Sequence, residues 1–91
     1  MKELILPMVK ARLGRTNDNR LDDYLRDRIE AAVETFGGEG IHIRTNASDM
    51  MLVCDQVCWD YSNRDKNEEE PKWLKEKKKN RFLREPHDHD T

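Results

Sequence analysis

Two cysteines, three histidines and one run of cations hold most of the side chains in this sequence that could do chemistry. Cys54 and Cys58 stand four residues apart, which puts both thiols on one face of a helix. They would supply half of a tetrahedral zinc site, but there is no second cysteine pair to complete it. Both also fall inside an apolar stripe, where a free thiol packs as a small hydrophobe, so they read as core. His87-Asp88-His89-Asp90 sets four metal-capable side chains in a row behind Pro86. With no surrounding residues to orient them, they read as a polar tail that binds a metal only adventitiously. His42 has no serine or cysteine at nucleophile spacing and reads as a surface or partly packed residue. Gly37-Gly38-Glu39-Gly40 follows a helix and lacks the lysine and hydroxyl residue of a phosphate loop. No catalytic, cofactor or metal site is expected.

Lys75, Lys77, Lys78, Lys79, Arg81 and Arg84 form the one basic cluster, with Trp73 and Phe82 inside it. Cations interleaved with aromatic rings can contact nucleic-acid phosphates, and six such contacts would give a steep salt dependence. The same residues equally suit a solvated helix whose cations sit near its negative end, or an interface with an acidic partner. A net charge of −2 supplies no global field favouring nucleic acid. Ninety-one residues, 35% of them hydrophobic and 40% charged, allow one domain with a thin core that a partner or oligomer would help complete. Two cysteines set no disulfide framework. No secretory leader or long apolar run is present, so the cell interior is the expected compartment, with no membrane contact.

These residues are positioned by helices. The first element covers roughly residues 4–13, with Leu6, Val9 and Leu13 on one face. Pro7 suits a first turn, so regular helix is expected from near Leu6 until Gly14. Asn19 or Asp18 offers a cap for a second helix over residues 20–36. Its buried stripe is Leu21, Leu25, Ile29, Ala32, Val33 and Phe36, and Gly37-Gly38 ends it. Residues 39–48 form an irregular loop in which Ile41-His42-Ile43-Arg44 alternates too briefly for a sheet. Asn46-Ala47-Ser48 matches a glycosylation sequon and reads as chance or as a helix cap. Ser48 or Asp49 opens a third helix over residues 49–63, with Met50, Val53, Cys54, Val57, Cys58 and Tyr61 at helical spacing. A charged link follows. Pro71 then fits the first position of a fourth helix carrying Trp73, Leu74, Phe82 and Leu83. The expected fold is all-α, a bundle of about four helices over residues 1–84 with a polar, disordered tail over 85–91.

The order of parts resembles the tailed-phage head-tail connector (head completion adaptor) family. The resemblance rests on Met8-Val9-Lys10-Ala11-Arg12-Leu13, then Asn17-Asp18-Asn19, then Asp22 to Leu25 with Ile29-Glu30-Ala31-Ala32. Tyr61-Ser62-Asn63-Arg64 and Pro71-Lys72-Trp73-Leu74 complete it. It spans about residues 4–83. The basic last helix and the histidine tail are not family features. The resemblance implies a homo-oligomeric ring, of which a dodecamer is one closure, beneath the portal protein at the virion neck, assembled in the host cytoplasm. Such a ring extends the DNA channel, lets DNA pass without specific binding, and offers a platform to a tail or stopper protein. It implies no enzyme activity and no cofactor. Trp59 and Trp73 read as anchors for subunit or portal contacts, or alternatively as core packing, with the six cations of the last helix as further interface candidates. The alternative is a small helical nucleic-acid-binding or regulatory protein working through that basic helix.

Overall fold

Seven consecutive residues, Leu52 to Cys58, are buried, which a helix achieves only when other structure packs on every side of it. This segment is the hub of an all-α fold. The structure, a computed structural model, describes residues 1–86. Four helices run in order: α1 (Lys2–Arg12), α2 (Asp22–Gly38), α3 (Ala47–Ser62) and α4 (Lys72–Leu83). Helices α1, α2 and α3 pack mutually, whereas α4 packs among the helices on α3 alone. There is no strand among the described residues, and none of the helices is long and apolar enough to cross a membrane.

The shared core comprises Ile5, Leu6 and Val9 of α1, Leu25, Ile29 and Phe36 of α2, and Leu52, Val53, Cys54, Val57 and Cys58 of α3. Ile41 joins it from the loop and Leu74 from α4. The Cys54 and Cys58 sulfurs lie 3.9 Å apart in this packing. Their mutual hydrogen bond, with burial, pushes the Cys58 thiol far above its ordinary range, so it stays protonated. The cysteines therefore occupy the place expected of them.

Several boundaries differ from the sequence expectation for identifiable reasons. Helix α1 starts at Lys2 rather than near Leu6, leaving Pro7 in its interior. The early turn is held by burial of Ile5 and by ion pairs to α2, Lys2–Glu30 and Glu3–Arg26, both 2.9 Å. Neither Asn19 nor Asp18 caps α2, whose N-cap position is Leu21 without a side-chain cap. Asn19 instead accepts from the Lys10 ammonium, and Asp18 accepts from the Arg20 amide. Lys10, nearly buried, also pairs with Asp22 at 2.9 Å and fixes the start of α2 against α1. Gly37 and Gly38 remain helical. The left-handed residue that turns the chain is Gly40, at φ 91°. A Cβ there would also stand 2.8 Å from the Phe82 ring. Asn46, rather than Ser48 or Asp49, caps α3, its side chain accepting from the Asp49 amide at 2.8 Å. Pro71 takes the N-cap position of α4, one residue before its expected place.

Candidate assembly interface

The side of the molecule formed by α3 and α4 gathers the residues that the sequence singled out. Helix α3 carries Asp49, Asp55 and Asp60 and no cation, while α4 carries its cations at 77, 78 and 81 among others. The two helices run antiparallel, so acids and bases meet in reverse order. Asp55, almost fully buried, accepts from Arg12 of α1 at 2.9 Å and from Lys77 of α4. One carboxylate on the hub thus holds a helix on each side.

Nearer the other end of α4, Arg81 is buried and pairs with Asp49 at 2.8 Å and Glu85 at 2.7 Å. It also donates to the His42 carbonyl at 2.8 Å. Glu85 in turn accepts from the His42 amide at 3.1 Å and from Arg44 at 3.3 Å. This clasp ties the irregular loop to both helices. Burial works against the Asp49 charge, but Arg81 and the Arg44 amide outweigh it and hold its pKa below the usual carboxylate range. Burial likewise opposes ionisation of Glu85, yet Arg81 and the His42 amide and ring lower its pKa to about 2. Glu85 was expected to begin a polar tail. It is instead a buried part of the fold, because α4 delivers Arg81 one turn before it. The His87–His89 segment lies outside the described residues.

The basic cluster is accordingly not one exposed field. Lys77 and Arg81 are committed to Asp55 and Asp49, Lys78 pairs with Glu70 at 2.7 Å, and Lys75 meets Glu69 at 3.3 Å. Lys79 and Arg84 alone of the six have no carboxylate of a described residue within ion-pair distance. The hydrophobic residues of α4 do not form a buried stripe. Only Leu74 is buried among its hydrophobic residues, and Leu83 is 64% exposed. Arg81 occupies the place on the buried face that an apolar residue would otherwise fill.

Trp59 and Trp73 come together, although 14 positions separate them in sequence. Both line a shallow hollow of about 250 Å³ at the junction of α1, α3 and α4, with Leu13, Cys58 and Asn63. Trp59 packs partly against the core, whereas Trp73 is 49% exposed and stays outside it. The Lys77 ammonium stands 5.8 Å from the Trp73 ring centre, a cation–π distance. The indole presents its remaining surface to solvent. Among the described residues, no group of three or more metal-ligating side chains converges.

Sequence reasoning did not find Asp49, Asp55 and Glu85 as the counter-charges of α4. The signal was there: a helix with acids and no bases lies next in sequence to a helix dominated by bases. The chain finds no match among family models, curated proteins or solved structures.

Proposed function

We propose that this chain is a structural assembly subunit, a helical head-tail connector that closes into a ring beneath a portal, continues its DNA channel and receives a tail or stopper protein. The observation that carries this reading is the paired indole site. Trp73 and Trp59 share a surface hollow next to a helix supported on one side only. Hot spots of protein interfaces are enriched in tryptophan, and a half-exposed indole offers a large area to bury. The order of sequence motifs from Met8 to Leu74 supports the particular choice of assembly. Catalysis has no part in this role.

Neutralisation within the chain supports the connector over a nucleic-acid-binding helix. With Lys75, Lys77, Lys78 and Arg81 paired, Lys79 and Arg84 are left as phosphate contacts from the cluster, and two contacts give a shallow salt dependence. DNA would then move past the subunit without being held.

The test is particle mass over a concentration series, with negative-stain images of the same sample, for the parent chain and Trp73→Ala. Closed rings that Trp73→Ala abolishes, with the far-ultraviolet circular dichroism unchanged, are the expected result. A strict monomer moves the test to capture on an immobilised portal ring, with binding to duplex DNA in parallel. Strong, salt-sensitive DNA binding without portal capture would replace this reading with the nucleic-acid one.

A further inference from the structure

On the opposite side of α3 lies a hollow of about 220 Å³ between α2, α3 and the link that precedes α4. It exists because Ala31 and Ala32 are small where α2 faces α3 and the link. Phe36 forms an apolar wall, and Gln56, Asp60 and Glu70 supply the polar one. We propose that this hollow binds a small cationic hydrogen-bond donor, an ammonium or guanidinium group.

Gln56 carries the argument. It is only 8% exposed, and its Nε2 donates to Asp60 Oδ1 at 3.0 Å and to Glu70 Oε2 at 2.9 Å. Two acceptors fix the amide orientation, since turning it over would set Oε1 against both carboxylates. Oε1 is therefore left buried with no donor from the protein. A buried carbonyl oxygen is paired in nearly all native structures, so the site calls for an N–H or O–H donor from outside the chain.

Charge selects among the donors. Lys78 pairs with Glu70 at 2.7 Å, which leaves Asp60 without a salt-bridge partner in the hollow. Arg28 and Glu39 also line the hollow, with the Arg28 field reaching Asp60 from beyond ion-pair distance, and the two cations and three carboxylates of the lining sum to one negative charge. The excess is one negative charge beside an unpaired carbonyl and an aromatic wall. These are the features that hold an ammonium or a guanidinium, through charge-assisted hydrogen bonds and contact with the Phe36 ring. An anion would meet Gln56 Oε1 and Asp60 and be repelled.

The experiment is a titration of the full-length, ¹⁵N-labelled chain with ethylguanidinium, then with ethylammonium, at constant ionic strength. Tetramethylammonium, which has the charge but no N–H, is the control. The expected result is a saturable shift of the Gln56 side-chain amide and of residues 31 and 60 with the two donors, absent with the control. Asp60→Asn should weaken binding by about tenfold, the loss of one charge-assisted contact. Arg28→Gln should tighten it by removing the rim cation. Ala31→Leu, a substitution at a half-buried position on α2, should fill the hollow and abolish the shift while the rest of the spectrum persists. Particle mass at saturation identifies the source. A fall in mass assigns the site to an arginine or lysine of another copy, an unchanged mass to a free ligand, and both uphold it. Absence of a saturable shift, an equal response to tetramethylammonium, or weaker binding in Arg28→Gln would overturn the proposal.

Discussion

Asp55 shows how one residue can organise several elements. Its carboxylate is buried, while the guanidinium of Arg12 and the ammonium of Lys77 are each nearly half exposed. The consequences of removing either side are therefore unequal. Asp55→Ala releases two cations that water can solvate, and costs about 1.5–3 kcal/mol, the range for hydrogen bonds to charged groups. Arg12→Ala combined with Lys77→Ala strands a buried charge, and should cost more than Asp55→Ala. Urea unfolding of the three variants checks the order, and equal costs would mean the carboxylate draws its solvation from elsewhere. At this scale the sequence was partly legible. The stripe containing Cys54 and Cys58 pointed correctly to the core. Asp55 and Gln56, also buried, fall outside that stripe, because periodicity reports one buried face and α3 has several.

Among elements, legibility followed apolar spacing. The stripes of α2 and α3 lie where hydrophobic residues recur at helical intervals, and both helices were found within two residues of their ends. Helix α1 begins earlier than local proline chemistry predicts, because burial of Ile5 outweighs the proline. Helix α4 lies where Pro71 predicts it, but its sequence has no apolar stripe to mark the buried face that Leu74 and Arg81 form. Leu74 gives it about 1.5–3 kcal/mol of apolar anchorage, and the remaining attachment is ionic, which hydrophobic spacing does not report. The start of α3 depends on Asn46, which satisfies the Asp49 amide, while Asp49 itself reaches Arg44 and Arg81. Asn46→Ala should lower stability by about 1 kcal/mol, as loss of an N-cap does. A urea midpoint shifted without a change of slope would show this. An unchanged midpoint would mean that Ser48 takes over the cap.

For the whole molecule, the clasp around Arg81 sets the response to acid. Glu85 titrates near 4.5 when unfolded and about 2 when folded. A depressed carboxylate stabilises the fold above its unfolded pKa, and that contribution fades as pH falls through the folded one. Asp49 shifts in the same direction. Helical circular dichroism should therefore decline between about pH 4.5 and 2, and Glu85→Gln should be less stable at neutral pH but flatter across this window. A parent chain whose stability does not change there would show that the clasp contributes no net stability. The all-α class could be read from composition and periodicity. The two surface hollows could not, since each joins side chains from three or more segments that only tertiary packing brings together.

The attachment of α4 to α3 alone among the helices has one more consequence. Helices α1, α2 and α3 pack mutually while α4 adds only Leu74 to their core, so the last helix is expected to be the first to detach as a sub-global unit. The chain then has two tiers of cooperativity. The upper tier is joined to the lower by Leu74, by carboxylates on the hub and by Arg81 and Phe82 against the loop. In the proposed ring, a subunit built this way would release and re-seat one arm while its frame holds, and so admit the last member at closure.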